Sequence, residues 1–304
     1  MSDPSQVDFI GDIHGYADHL EKLLKLLQYD KINGAYKHPE RMVLFVGDYI
    51  DRGADSPRVV NIVRNMVDAG SAVALCGNHE FNAICFNTMS KNGFIRPHLI
   101  KNFKQHSETL IQYLGKQSEY NDAIEWFKTL PLFIETKSFR AVHATWDNSS
   151  IKYLSTNLQQ GTLSPEQYLE FSNEESQLFK AVEITCKGKE AQLPKGISFF
   201  DKDGTERYDI RLKWWQNPEG LTVKEMSVIE NLELGNELFD AGNMDYYKEN
   251  EKPVFFGHYW LKGKPKIFGD NICCLDFSVA KGGHLVAYRY SGEKKLSNQN
   301  LVYI

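Results

Sequence analysis

This sequence lacks several features that mark other classes of protein. Its 304 residues include 35 Lys and Arg against 40 Asp and Glu, so the basic excess of a broad nucleic-acid-binding surface is absent. A small basic pocket is still compatible with the net charge of -5. The first six residues lack the basic and apolar regions of a signal peptide. Because no apolar run approaches the length of a membrane span, we expect no membrane partner.

Cysteine is also scarce and irregularly spaced. An odd set of five in a chain of this length gives no disulfide framework and indicates a reducing cytoplasm. No internal repeat or low-complexity tract interrupts the chain, and 42% hydrophobic residues are enough for a sizeable core. We predict one domain over residues 1–304, carrying a cap-like insertion over residues 145–252.

The chain is organised around apolar runs that lead directly into glycine and polar residues. Each run has the length and the glycine boundary of a buried strand. The first three are 7–10 followed by Gly-Asp-Ile-His-Gly (11–15), 42–46 followed by Gly-Asp-Tyr-Ile-Asp-Arg-Gly (47–53), and 72–76 followed by Gly-Asn-His-Glu (77–80). Two later strands, predicted at 139–142 and 253–257, lead to His143 and His258.

Polar residues at these strand ends admit two interpretations. Glycine beside Asp or Asn is ordinary turn chemistry, so the segments could be plain turns. However, Asp-x-His, Asp and Asn-His after separate strands supply the oxygen and nitrogen ligands of a mixed metal site. Since the carboxyl ends of parallel strands meet at one edge of a sheet, we predict a metal site at that edge.

Helical periodicity follows the first two polar segments. Leucines at positions 20, 23, 24 and 27 form one helical stripe, and Pro57, behind a capping Asp55 or Ser56, begins a second helix. Strands that alternate with helices predict an α/β fold with mixed sheets and with helices on their faces. Residues 272–290 predict a closing hairpin that turns at 281–283.

The insertion contains a basic and aromatic cluster. Residues 197–200 and 207–215, joined by a turn at 201–204, predict a hairpin. Strand alternation would place Arg207, Arg211, Lys213 and Trp215 on one face. There arginine (Arg207, Arg211) could bind a polyphosphate and tryptophan (Trp215) could stack on a base. The alternative is a solvated basic face with one tryptophan anchoring the cap.

The five strand-end motifs, taken in order, resemble the calcineurin-like metallophosphoesterase superfamily. The intact Asp-Arg-Gly at 51–53 and Gly-Asn-His-Glu at 77–80 are similar to its phosphoprotein-phosphatase branch, which includes bacterial diadenosine tetraphosphatases. Residues 126–133 (Trp-Phe-Lys-Thr-Leu-Pro-Leu-Phe) also resemble that branch. The resemblance covers roughly residues 7–143 and 253–290. It implies a layered βα sandwich with mixed sheets and a helical and hairpin cap.

The resemblance also implies a site with two divalent metal ions. The six implied ligands are Asp12 and His14 for the first ion, Asp48 as the bridge between the ions, and Asn78, His143 and His258 for the second. Because imidazole suits transition metals, we expect manganese, with iron, cobalt or zinc as alternatives.

In the mechanism that the resemblance implies, a hydroxide bridging the metals attacks phosphorus in line. His79 protonates the departing oxygen as general acid, and Asp51 orients His79 and stabilises its imidazolium form. Arg52 offers a fork of donors to phosphate oxygens, the alternative being a surface salt bridge. The other histidines, including His106, lack strand-end placement and are predicted to face solvent or to form local hydrogen bonds.

The sequence departs from the eukaryotic protein-phosphatase pattern in two places. Cys76 stands where that form carries a basic residue, and Ala144 and Thr145 stand where it has glycines. The predicted function is therefore hydrolysis of dinucleoside polyphosphates or related phosphoanhydrides, with a phosphoprotein (Ser/Thr) phosphatase as the alternative. A non-catalytic scaffold is disfavoured, because every implied ligand and catalytic position is filled.

Overall fold

The structure, a computed structural model, describes residues 6–193, 196–200, 206–229, 236–242 and 244–304. Helices are α1 (Ala17–Leu26), α2 (Ser56–Asp68), α3 (Asn78–Asn87), α4 (Ile100–Gln112), α5 (Gln117–Phe127), α6 (Asn148–Asn157), α7 (Pro165–Glu170), α8 (Gln177–Lys187) and α9 (Val223–Met226). None of these helices combines the length and the hydropathy needed to span a bilayer. The turn predicted at 201–204 lies outside the described residues.

The strands are short. They are β1 (Val7–Ile10), β2 (Asp30–Ile32), β3 (Ala35–Lys37), β4 (Met42–Phe45), β5 (Ala72–Ala74), β6 (Met89–Ser90), β7 (Gly93–Phe94), β8 (Phe133–Glu135), β9 (Arg140–Val142), β10 (Glu190–Gln192), β11 (Phe199–Phe200), β12 (Glu206–Arg207), β13 (Asp209–Arg211), β14 (Val254–Phe256), β15 (Ile272–Cys274), β16 (Asp276–Phe277), β17 (His284–Tyr290) and β18 (Leu301–Tyr303).

Two mixed sheets form the centre of the fold. In the first, β1, β4 and β5 run parallel, and β17 pairs antiparallel with β1. In the second, β9, β14 and β15 run parallel, and β8 pairs antiparallel with β9. This arrangement confirms the predicted α/β class with mixed sheets. The closing hairpin is shorter than predicted, because β15 joins the second sheet and β16 alone forms the first strand of the hairpin with β17.

The two sheets pack face to face through an apolar layer. Phe9 of β1 stacks on Phe255 of β14 with ring centroids 3.6 Å apart, and Phe139 meets Phe9 edge-on at 5.0 Å. The leucine stripe of α1 lies in a second apolar cluster, which also contains Val43 and Phe45 of β4. Burial of each large apolar side chain contributes about 1.5–3 kcal/mol. The packing therefore holds the strand ends, and the side chains that follow them, in fixed positions.

The predicted insertion, 145–252, packs in two different ways. Its first part, α6 to α8, buries Leu154, Leu178 and Val182 in the same cluster as the stripe of α1. Its second part has a small cluster of its own, which includes Ile210 and Met226. The first part is thus continuous with the main core, and the second part forms a smaller lobe.

The predicted basic strand at 207–215 differs from the structure. β12 pairs with β11, whereas β13 pairs with β10, so the segment is divided between two small sheets. Trp214 and Trp215 follow after the strand has ended, and both pack on Phe256 of the second central sheet. Burial of two large aromatic side chains outweighs strict alternation here.

Candidate metal centre

Side chains from five strand ends meet at one edge of the two sheets. Asp12 and His14 follow β1, Asp48 follows β4, Asn78 begins α3 behind β5, His143 follows β9 and His258 follows β14. Asn78 is half-buried, and the other five are at most 3% exposed. Polar side chains that are buried and clustered in this way require partners, because each buried polar group without one costs free energy.

Asp48 lies at the centre of this group. Its Oδ2 is 3.6 Å from His14 Nε2, and its Oδ1 is 3.4 Å from His143 Nε2. Asn78 Oδ1 lies 3.1 Å from His143 Nε2 and 2.7 Å from His258 Nδ1. Two sets of three side chains have ligand atoms within 4.8 Å of one another, and Asp48 belongs to both. The sets are His14, Asp48 and His79, and Asp48, His143 and His258.

Asp12 and His79 also lie beside Asp48, and each forms a hydrogen bond of its own. The Asp12 carboxylate accepts the backbone N–H of His258 at 3.0 Å, which ties the ends of β1 and β14 together. His79 Nε2 is 4.0 Å from Asp48 Oδ2, but its Nδ1 already bonds to Asp51. Distance alone would admit His79 as a ligand, whereas its bond to Asp51 suits the role of an oriented acid.

The donor set fits a pair of divalent cations. Among the described residues, the buried Nε2 atoms of His14 and His258 have no hydrogen-bond partner, which costs about 1–3 kcal/mol for each such atom. Burial lowers the pKa of His14 to about 3 and lowers the pKa of His258 well below its ordinary value. Both rings are therefore neutral and offer lone pairs. Burial and the charges of Asp276 and Asp48 raise the pKa of Asp12, a crowding that a cation would relieve.

Close approach of the backbone sets the spacing of the group. Gly257 precedes His258, and a Cβ at this position would collide with Asp12 Oδ1. Gly47 precedes Asp48 with φ +112°, and a Cβ there would lie 2.6 Å from Gly77 Cα. Both glycines are needed for a physical reason, since any side chain would push a ligand-bearing loop outward.

Glu80 holds the loop that carries Asp48. Its carboxylate accepts the backbone N–H groups of Asp48 and Tyr49, both at 2.8 Å, and of Gly77 at 3.0 Å. These bonds join the end of β4 to the first turn of α3. This role of Glu80 was not predicted from the sequence, although a glutamate at the third position of a helix is a recognised partner for free backbone N–H groups.

Asp51 is the centre of a second network, which orients His79. Its Oδ2 lies 2.5 Å from His79 Nδ1, and its Oδ1 accepts hydrogen bonds from His106 Nδ1 at 2.7 Å and from Thr109 Oγ1 at 2.6 Å. His106 Nε2 lies 2.8 Å from the Tyr120 hydroxyl. The prediction that His106 faces solvent or bonds locally is wrong. It is 5% exposed, and Asp51 is 55 residues away in sequence.

This network determines where His79 carries its proton. Burial by itself raises the pKa of Asp51, but the hydrogen bonds from His106 and His79 lower it overall, so the carboxylate is ionised. Burial by itself lowers the pKa of His79, yet the Asp48 charge and the bonded Asp51 raise it overall. His79 therefore donates Nδ1–H to Asp51 and can hold a second proton on Nε2, the atom that faces Asp48.

A comparison with protein families agrees with this geometry. Residues 5–288 match the family described as calcineurin-like phosphoesterase. The chain belongs to the calcineurin-like phosphoesterase family. The match confirms the predicted family and its enzyme class, the hydrolases. Members of the family bind divalent metals, in agreement with the clusters around Asp48.

Individual relatives are more distant. A bis(5'-nucleosyl)-tetraphosphatase [asymmetrical] from Oceanobacillus iheyensis is 32% identical over 149 residues, which are 46% of this chain and 55% of that relative. The chain thus spans about half the length of this relative. A symmetrical bis(5'-nucleosyl)-tetraphosphatase from Buchnera aphidicola subsp. Baizongia pistaciae is 26% identical over 303 residues, which are 94% of this chain and 95% of that relative.

Among solved structures, a cold-active protein-tyrosine phosphatase from a psychrophilic Shewanella species aligns with 96% of this chain and 80% of its own chain. The TM-score is 0.51 and the sequence identity is 17%. At this identity the likeness shows the fold alone.

The six candidate metal ligands at the strand ends are called the ligand group below. A cavity of about 250 Å³ opens beside the ligand group of this calcineurin-like phosphoesterase. Asn78, His79 and His258 line it together with Trp260. Four cationic side chains also line it, namely Arg52, Arg96, Lys187 and Arg211. The Arg52 guanidinium lies 4.0 Å from the centroid of the Trp260 ring, a cation–π contact that holds its charge at the cavity wall. A lining of this sign favours an anionic ligand.

The structure separates the three predicted substrate-binding residues of the insertion. Arg211 lines the cavity. Arg207 is an exposed residue of β12 and is not among the cavity's lining residues in the described part of the chain. Trp215 is 9% exposed and packs against Tyr259 and Phe268, with centroids 5.2 and 5.7 Å away. Its faces are covered, so the prediction of a base platform at Trp215 is wrong. Instead it anchors the insertion, as the alternative interpretation held.

Proposed function

We propose that this chain is a two-metal phosphohydrolase that cleaves a phosphoanhydride bond, with a dinucleoside polyphosphate as its best substrate. The observation that carries this proposal is the position of His79, whose Nδ1 bonds to Asp51 while its Nε2 faces Asp48 inside a cationic cavity. The names of two relatives, both bis(5'-nucleosyl)-tetraphosphatases, support the same class of substrate.

The proposed ligands are the six residues at the strand ends. Asp12 and His14 would hold one cation, Asp48 would bridge both, and Asn78, His143 and His258 would hold the other. When bound, two such cations neutralise phosphate charge and lower the pKa of a water molecule enough to supply a nucleophile at neutral pH. We expect manganese, with iron, cobalt or zinc as alternatives, since imidazole suits transition metals.

Proton donation and phosphate binding belong to side chains beside the ligands. His79 delivers the proton on Nε2 to the oxygen that leaves phosphorus, and Asp51 keeps the ring oriented through Nδ1 and stabilises its charged form. Arg52, held over Trp260, presents parallel N–H donors to the phosphate oxygens. The five cysteines are free and buried and take no part. The cytoplasmic location indicated by the cysteine pattern stays a prediction.

A substrate screen tests the proposal. Wild-type protein supplied with Mn²⁺ is assayed against a dinucleoside tetraphosphate, a nucleoside triphosphate, nitrophenyl phosphate, and phosphoserine and phosphotyrosine peptides. We expect the largest kcat/KM for the dinucleoside tetraphosphate. A larger kcat/KM for a phosphopeptide would refute this choice of substrate and favour a phosphoprotein phosphatase. The His79→Asn variant, assayed beside it, identifies contaminating hydrolases.

A further inference from the structure

The cavity extends beyond the ligand group along α3. Asn78 is the first residue of that helix, and Asn82, four residues later, lines the same cavity. Four residues advance about 6 Å along an α-helix and return to the same face. The wall at Asn82 therefore lies about 6 Å farther along the helix than the candidate ligand Asn78.

Arg96 occupies this part of the wall. Its Nη1 donates to Asn82 Oδ1 at 3.2 Å and its Nη2 donates to Gln105 Oε1 at 2.5 Å. Both partners are neutral amides that also line the cavity. In the described part of the chain, no carboxylate lies within ion-pair distance of this guanidinium. Glu183 and Asp51 still attract this half-buried charge from beyond ion-pair distance, so Arg96 is positioned by neutral partners and only partly balanced by carboxylates.

The position of Arg96 is fixed by the backbone as well. Its N–H donates to the carbonyl oxygen of Cys85 at 3.0 Å, which attaches the loop after β7 to α3. Lys187, the last residue of α8, lines the same cavity, although its Nζ is paired with Glu183. Because partly desolvated cations bind phosphate oxygens strongly, this wall suits an anion rather than an apolar group.

We propose that Arg96, assisted by Lys187, forms a distal phosphate subsite that binds phosphates next along the chain from the one that is attacked. The inference rests on the proposed function and deepens it, because it commits the site to a linear polyphosphate. A phosphomonoester reaches Arg52 and the ligand group but leaves Arg96 without a phosphate. A longer chain contacts both.

Arg96→Gln tests the subsite by removing the charge while keeping a polar, shorter side chain with hydrogen-bond donors. We expect KM for a dinucleoside tetraphosphate to rise about tenfold to hundredfold, the worth of one charge-assisted hydrogen bond. KM for nitrophenyl phosphate should not change. The matched control is Arg64→Gln on α2, where the arginine pairs with Asp122 at the surface and both substrates should behave as in wild type.

A binding measurement separates this proposal from the proposed reaction. Calorimetry with inorganic tripolyphosphate compares His79→Asn with the double variant His79→Asn, Arg96→Gln, so that hydrolysis is slow in both. We expect the double variant to bind tripolyphosphate at least about tenfold more weakly and to bind inorganic phosphate equally well. Unchanged tripolyphosphate affinity, or an equal loss for both anions, would overturn the subsite. If wild type cleaves no polyphosphate but the affinity still depends on Arg96, the subsite stands and the assigned reaction fails.

Discussion

Replacement of His106 tests whether Asp51 owes its position to a side chain from α4. His106 has two contacts, Nδ1 to Asp51 at 2.7 Å and Nε2 to the Tyr120 hydroxyl at 2.8 Å. Two amide side chains reproduce one contact each. The amide nitrogen of asparagine occupies the place of Nδ1, and that of glutamine the place of Nε2. His106→Asn therefore keeps the bond to Asp51, and His106→Gln keeps only the bond to Tyr120.

The size of the effect follows from the bonds that Asp51 retains. A hydrogen bond to a charged group contributes about 1.5–3 kcal/mol. Asp51 still has donors in His79 and in Thr109, the latter at 2.6 Å, so part of the loss is absorbed. We expect the activation free energy to rise by about 1.4 kcal/mol, which lowers kcat about tenfold for His106→Gln. His106→Asn should lose less than about threefold.

The assay compares two leaving groups at saturating substrate. If His79 protonates the departing oxygen as proposed, the loss in His106→Gln should be full for a dinucleoside tetraphosphate and small for nitrophenyl phosphate, whose leaving group needs little protonation. Thermal unfolding of both variants serves as the control for folding. Equal losses in the two variants, or on the two substrates, would refute the reasoning that His106 acts through Asp51.

Three further predictions concern the ligands, the acid and a helix cap. Asp48→Asn should lose bound metal and hydrolysis together, and two metals per chain by elemental analysis would contradict the bridge. His79→Asn should keep its metal while kcat falls by about 10²–10⁴, less for nitrophenyl phosphate, and an equal fall on both substrates would remove the acid role. Asp147 accepts Ser150 N–H at 2.9 Å and pairs with Lys189 at 3.1 Å. Burial by itself raises the pKa of Asp147, but the hydrogen bond from the Ser149 hydroxyl, together with these contacts, lowers it from 3.8 to about 2. Asp147→Ala should therefore cost about 2 kcal/mol at pH 7, and this difference should vanish between about pH 4 and pH 2 in urea titrations.

The strand ends that carry the proposed ligands could be located from the sequence because two independent signals coincide there. A run of buried residues such as 42–46 defines where a strand ends, and the next polar side chain is then the one at the edge of the sheet. The structure ends β4 at Phe45 and places Asp48 at the centre of the ligand group. Local pattern was sufficient for β1, β4 and β5, because neighbouring parallel strands of one sheet end at the same edge, whereas packing of the second sheet brings the ends of β9 and β14 to them.

The network around Asp51 was not predicted, because it depends on α4, which buries its polar face and exposes apolar residues. That helix exposes Ile100 and Ile111, at 76% and 58%, and buries Asn102, His106 and Thr109. Hydrophobic periodicity assigns the apolar face to the core and would turn His106 outward. The polar residues 102, 106 and 109 recur at helical spacing, and this stripe was the signal available. Only the tertiary position of Asp51 explains why this polar stripe faces inward.

Backbone strain gives a last argument that the ligand group is built as one unit. Among the described residues, ten non-glycine residues have positive φ, and six of them belong to this site or its rim. The six are His14, Asp48, Asp51, Arg52, His258 and Trp260. Such conformations cost of order 1–3 kcal/mol each and persist only where neighbouring bonds impose them. Glu80 imposes that of Asp48 through its N–H, and Thr109 Oγ1 accepts the N–H of Asp51 at 2.9 Å. The stability of the core thus offsets this strain and holds side chains together that would otherwise move apart. A preorganised reaction centre requires such fixed positions.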